Sequence, residues 1–241
     1  MIARTLRRVL LLLAVVSPSV RAQSTTAVAP PEPAVTARES IIFGASLAAA
    51  AALLSSDVRM AQWTQAPAHR SALAGHVLTG ARLFGDPGSL VLSAGLWAAG
   101  QVRGDATMST DGVRALEAVA LSGTITYLIK GAVGRARPYA SQADAHNTAF
   151  GRGFRDGSDY QSFPSGHTSA AFAFASAITA RVASRDEARA RWLGPVLYSA
   201  AALTGFSRMY DNKHWASDVL FGAGIGTVSG LLLSRHLDHA R

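Results

Sequence analysis

Six apolar segments, 41–54, 90–102, 115–129, 168–183, 193–206 and 219–234, set the terms on which this chain can fold. Each runs only 13 to 16 residues before a charge or a turn. Ala, Leu, Gly and Ser dominate them, β-branched and aromatic residues are sparse, and alternating strand patterns are hard to find. The segments therefore read as helices, and the fold class as all-α, a bundle of about six core helices. A weaker amphipathic stretch, 71–84, is closed by Gly85-Asp86-Pro87-Gly88, a strong breaker. A length of 241 residues suits one domain with a sizeable core.

Residues 1–22 have the layout of a secretory signal: a positive start, the wholly apolar run 9–16, and a cleavage site at Val20-Arg21-Ala22. Residues 23–38, rich in Pro, Ala, Thr and Ser, read as a flexible or extended tether, which leaves 39–241 as the folded domain. The net charge of +8 includes Arg4, Arg7, Arg8 and Arg21, and the remainder of the chain carries +4. Lys130 and Lys213 are the only lysines, and no arginine-rich run is interleaved with aromatics, so a nucleic-acid partner is not expected. There are no cysteines, which excludes disulfides and thiolate metal sites.

The apolar segments raise a membrane question, because a span wants about 20 residues. If the signal is cleaved and all six segments span, the long stretch 131–163 lies on the cytoplasmic side and the four arginines of 181–191 lie outside, against the positive-inside tendency. Both difficulties vanish if the bundle is exported whole without spanning, which places it in the periplasm or at a membrane surface. They vanish equally if the N-terminus is retained and the domain is an integral membrane protein with six spans.

Three groups of polar residues fall at the edges of the apolar segments. Phe163-Pro164-Ser165-Gly166-His167-Thr168 opens the fourth, with Ser165 placed as a helix N-cap. The first free N–H groups of such a helix attract an oxyanion, and His167 beside them can donate a proton to a leaving oxygen. Upstream, Lys130 ends the third segment and Arg137 follows seven positions later. Pro138 turns Arg137 out of helical geometry, free to aim its planar fork at an anion. Downstream, the fifth segment ends in Ser207-Arg208, with His214 and Asp218 following before the sixth. A carboxylate on one nitrogen of His214 would fix the tautomer and leave the other as a nucleophile. The stretch 131–163 lacks a clear pattern, and a loop of that length is usually functional.

The arrangement Lys-x6-Arg-Pro, then Pro-Ser-Gly-His, then Ser-Arg-x5-His-x3-Asp closely resembles the signature of the type 2 phosphatidic acid phosphatase superfamily, which also holds bacterial non-specific acid phosphatases and vanadium haloperoxidases. The resemblance covers about 90–235, with every motif position filled. It implies a helical bundle with the site at one end. His214 would attack phosphorus to form a phosphohistidine, oriented by Asp218, and His167 would protonate the leaving group and then activate water. Lys130, Arg137 and Arg208 would neutralise the equatorial oxygens, with Ser165 and the Gly166 amide donating hydrogen bonds. The scheme requires no metal and no cofactor.

The resemblance leaves two reaction classes. One is hydrolysis of a phosphomonoester or diphosphate, on a lipid such as phosphatidate or a polyprenyl diphosphate, or on soluble esters outside the cytoplasm. The other is vanadate-dependent halide oxidation, for which this chain is small. Tyr139, Phe150, Phe154, Tyr160 and Phe163 would line an acyl or prenyl entrance, or form the loop's own small core. His69, His76, His146, His236 and His239 match no motif.

Overall fold

The structure is a computed structural model and describes residues 35–141 and 143–235. The expected signal at 1–22 and most of the tether lie outside the described residues, as do His236 and His239. Nine α-helices are present among the described residues: α1 (Ala37–Leu53), α2 (Asp57–Gln65), α3 (Ala72–Leu83), α4 (Ser89–Arg103), α5 (Ala106–Val133), α6 (Arg152–Arg155), α7 (Gly166–Ala183), α8 (Glu187–Tyr210) and α9 (Ala216–Arg235). No strand occurs among them. The fold is all-α, as the composition implies. Six of the helices correspond to the six apolar segments and α3 to the amphipathic stretch.

The helices outrun the apolar segments that announce them. α1, α4, α5, α7, α8 and α9 run 17, 15, 28, 18, 24 and 20 residues. Capping explains the extra length. The Thr36 N–H donates to Glu39 at 2.8 Å, so α1 starts two residues inside the stretch assigned to the tether. Asp105 accepts from the Met108 N–H at 2.9 Å and Asp186 from the Arg189 N–H at 2.9 Å, which starts α5 and α8 in polar sequence. Gly134, at φ +57°, stops α5 four residues past Lys130. Three stretches, Ala37–Gln65, Ala106–Ala140 and Ala216–Arg235, are long and apolar enough to cross a membrane.

The helix α2 was not legible in the sequence, because Asp57–Gln65 mixes polar and apolar residues without a stripe. It follows α1 through a short 3-10 turn and docks by tertiary bonds such as Thr64 Oγ1 to the Met209 carbonyl at 3.3 Å. Nor is 131–163 structureless: α5 runs to Val133, and the rest holds a 3-10 turn at Pro138–Ala140, α6, and a 3-10 turn at Ser158–Tyr160.

Small side chains let α7 sit in the middle of the bundle. Ala115, Ala118 and Val119 of α5 bury against Ala173, Phe174, Ala177 and Ile178 of α7. On its other side α7 meets α9 almost backbone to backbone. A Cβ at Gly222, Gly226 or Gly230 would run into the carbonyl oxygens of Ser165, Ser169 and Ala173 respectively. These glycines recur every four residues and form one stripe, the close-packing device that suits helices in an apolar medium. Glu39 of α1 pairs with Arg235 at 2.6 Å, so α1 and α9 run antiparallel with Ala37 at the end where α9 stops. Gly226→Ala should therefore lower stability by about 1–3 kcal/mol through overpacking. Gly95→Ala, in open space on α4, should instead raise it by roughly 0.5–1 kcal/mol. Thermal melts of the two variants in one detergent check the opposite signs.

Candidate active site

Five helix ends converge at one end of the bundle: the starts of α4, α7 and α9 and the ends of α5 and α8. Between them lies a cavity of about 410 Å³ whose lining includes Lys130, Arg137, Gly166, His167, Arg208 and His214. Six of the eight site residues anticipated from sequence thus share one space. The other two stand behind its wall. Ser165 is fully buried at the N-cap position of α7, but its hydroxyl accepts from the Thr168 hydroxyl at 2.8 Å and does not cap a backbone N–H. Its N–H donates to the Asp218 carbonyl at 2.9 Å, which ties the start of α7 to the start of α9.

Each cation is held by a local device. Arg137 has φ −72° and ψ 155°, the extended geometry that the following Pro138 imposes. Its Nε donates to the Ser158 carbonyl at 2.8 Å. Lys130 donates to the carbonyls of Gln161 and Ser162, which leaves its charge without a carboxylate partner in those bonds. Arg208, on the last turn of α8, donates to Asp211 at 2.7 Å, and its Nε has no hydrogen-bond partner among the described residues. A cavity with three cations, a helix N-terminus and only one lining carboxylate, Asp86, is built to receive an anion.

His214 is 3% exposed and lies 3.6 Å by Nδ1 from Asp218 Oδ2, close enough to feel the charge but too far for a hydrogen bond. That leaves Nε2 for the cavity. Asp218 is itself fixed: its carboxylate accepts from the Trp215 N–H at 2.8 Å, from the Ser162 hydroxyl, and from Arg135 at 2.6 Å. Burial, and after it the Lys130 charge, push the His214 imidazole down to about 3. The His214 ring is therefore neutral at neutral pH in the free protein and offers a lone pair.

Sequence reasoning missed several participants. Arg135 falls inside the spacer between Lys130 and Arg137, and Asp57 belongs to no motif, yet both are buried against Asp218 or its neighbour Ser217. The breaker Gly85-Asp86 turns out to line the cavity, together with an apolar wall of Leu90, Val119, Ala120, Gly123 and Ala170. The loop aromatics do not line it. Phe163 stacks on Phe221 at 5.1 Å, Tyr160 lies under Arg152 at 4.0 Å, Phe154 covers Gly131, and Phe150 is 89% exposed. Phe163 thus packs on α9 and Phe150 stands in the open, while Tyr139 bonds Asp159 and lies under Lys213, so the five do not form one small core of the loop. Among the described residues no group of three or more His, Cys, Asp or Glu side chains is placed to hold a metal ion.

Two histidines and three cations thus surround one terminal cavity of an all-helical bundle. Residues 111–240 match the model of the PAP2 superfamily, and the chain belongs to that family. It is 40% identical over 105 residues to a lipid A 1-phosphatase of Porphyromonas gingivalis, a match covering 44% of this chain but 22% of that longer protein. The fold is similar to the transmembrane PAP2 type phosphatidylglycerolphosphate phosphatase of Bacillus subtilis, with a TM-score of 0.64 at 21% identity over 82% of this chain and 94% of that one. LpxE of Aquifex aeolicus follows at a TM-score of 0.53 and 20% identity, over 73% and 93% of the two chains.

An anion in the cavity offsets the cations around His167 and raises its proton affinity, so phosphate binding should draw a proton onto that ring as pH falls. The ratio of wild-type to His167→Asn affinity for inorganic phosphate should grow as pH falls from about 8 to 5, by up to about ten-fold for each unit that the pH drops below the His167 pKa of the phosphate-bound protein. Isothermal titration at several pH values measures it, and a ratio flat with pH would remove His167 from the proton path.

Proposed function

We propose that this chain is an integral membrane phosphatase that hydrolyses a phosphomonoester or diphosphate on a lipid through a phosphohistidine on His214. The carrying observation is the convergence of His214, His167, Lys130, Arg137 and Arg208 on one cavity whose lining also holds Leu90, Val119, Ala120 and Ala170. His214 Nε2 attacks phosphorus, the P–N bond forms as the P–O bond breaks, and the electron pair leaves on the lipid oxygen, which takes a proton from His167. His167 then accepts a proton from the water that cleaves the P–N bond. The three cations and the Gly166 amide hold the equatorial oxygens as their charge develops, with Ser165 supporting that turn from behind. Every step runs on residues of this chain without a metal or cofactor.

Membrane insertion is supported by the three candidate spans and by apolar side chains turned outward, Ile41 on α1, Val91 on α4 and Trp192 and Val196 on α8 among them. In the orientation we infer, the turn between α7 and α8, with Arg181, Arg185, Arg189 and Arg191 around it, faces the cytoplasm and the site opens outside. Ala37 then lies on the cytoplasmic side, which calls for a retained N-terminal segment and not a cleaved signal. Phosphatidate, polyprenyl diphosphates, phosphatidylglycerol phosphate and the 1-phosphate of lipid A are the substrates to compare.

Phosphate release by the purified full chain in detergent with chelator should be faster from at least one of these lipids than from a water-soluble aryl phosphate. His214→Ala should abolish it, and Arg208→Lys should lose most of it, because a planar fork becomes a point charge. Preference for the soluble ester, or large inhibition by chelator, would overturn the reading.

A further inference from the structure

A buried chain of charges stands behind His214, on the far side from the cavity. Arg135 is 3% exposed and is shared between two carboxylates that are fully buried, Asp218 at 2.6 Å through Nη1 and Asp57 at 2.7 Å through Nη2. Its Nε and Nη2 also donate to the Ala145 carbonyl at 2.9 and 2.7 Å, and its Nη1 to the Ser217 hydroxyl at 2.8 Å. Asp57 in turn accepts from the Ser217 N–H at 2.9 Å and from the Ser217 hydroxyl, so it grips the first turn of α9 two residues after Trp215. The Arg135 guanidinium also lies 5.5 Å from the ring centroid of Trp215, whose indole donates to the Ala136 carbonyl at 3.0 Å. Burying three charges is costly, and stability alone is a weak reason to keep them.

We propose that Asp57 and Arg135 are positioning residues for the nucleophile: they fix the Asp218 carboxylate and hold the charge behind the His214 imidazole at one net negative. This rests on the reading of His214 as the attacking group. Asp218 does not reach His214 by a hydrogen bond in the free protein, so the ring's orientation and basicity depend on where that carboxylate is pinned. Arg135 and the Asp57-bound turn of α9 do the pinning. The other charged or titratable groups facing His214 are Lys130 and Arg137 from the end of α5 and its following turn, Arg208 from α8 and His167 from α7, all on the cavity side. Asp57, Arg135 and Asp218 supply the field from behind.

The charge count gives the two single variants opposite signs. Asp57→Asn leaves Arg135 and Asp218 cancelling, so the imidazole should hold its proton less well than in the wild type. Arg135→Gln leaves two carboxylates uncompensated, so the imidazole should hold it better. Arg135→Lys should keep the wild-type value. Ring-nitrogen NMR of the full chain in detergent, with His214 assigned from the spectrum of His214→Asn, reads these protonation shifts without any need for turnover. In parallel, kcat for Asp57→Asn should fall by about 100-fold, the order expected when a reacting group is misplaced by an ångström, with KM within about two-fold because the phosphate-facing cations are untouched. If a single variant does not fold, the double variant Asp57→Asn with Arg135→Gln keeps one net negative, and its His214 should titrate as in the wild type. Shifts of one sign in both single variants, or none, would leave only a structural role and overturn the proposal. Opposite shifts accompanied by unchanged kcat would keep the electrostatic coupling but remove His214 as nucleophile, so failure of the underlying reading is seen separately.

Discussion

The contact between α7 and α9 is the constraint on which the site depends. The two helices carry the Pro-Ser-Gly-His turn and the His214–Asp218 pair at their starts, and the glycine stripe of α9 brings their backbones together without intervening side chains. Because the interface is backbone against backbone, it fixes register as well as distance: one step along the stripe would meet a Cβ. The Ser165 N–H to Asp218 carbonyl bond closes the top of this interface. It accounts for the burial of Ser165 at the N-cap position of α7. The amide ties the two helix starts together while the hydroxyl bonds within α7, and Gly166 and His167 line the cavity.

Around this pair the protein keeps two electrostatic environments apart, one on either side of His214. On the cavity side, Lys130, Arg137 and Arg208 spend their hydrogen bonds mostly on backbone carbonyls or on a partly exposed Asp211, and so keep charge available for a ligand. On the inner side, Arg135 is fully spent on carboxylates and a carbonyl. His214 stands between them, its basicity depressed by burial and by the cations in front, with Asp218 opposing that effect from behind. A neutral, oriented imidazole facing a cationic hole is what in-line attack on phosphorus requires.

Much of this was legible in the sequence because its signals are local. The pre-proline rule placed Arg137, whose backbone is extended in the structure, and the spacing of the three motifs identified six residues that meet in one cavity. What stayed hidden depends on contacts distant in sequence. Arg135 bonds partners 78 and 83 positions away, and nothing in the spacer distinguishes it from filler. Asp57 sits at the start of a helix without an apolar stripe, and its grip on Ser217 spans 160 positions. The helix lengths were underestimated for a related reason: apolar runs mark where a helix is buried, whereas the caps that set its ends are polar. The apolar wall of Leu90, Val119, Ala120 and Gly123 lies inside two apolar segments, and nothing marked it out until the bundle placed it beside the cations.

The covalent step is the centre of this account, and trapping it is the most direct measurement. With a labelled aryl phosphate, whose leaving group needs little protonation, the His167→Asn enzyme should still be phosphorylated but should be slow to hydrolyse. Rapid quenching under alkaline conditions followed by peptide mapping should find an acid-labile label on His214, formed at a rate no slower than turnover. Turnover without any label, or a label on another residue, would contradict the account.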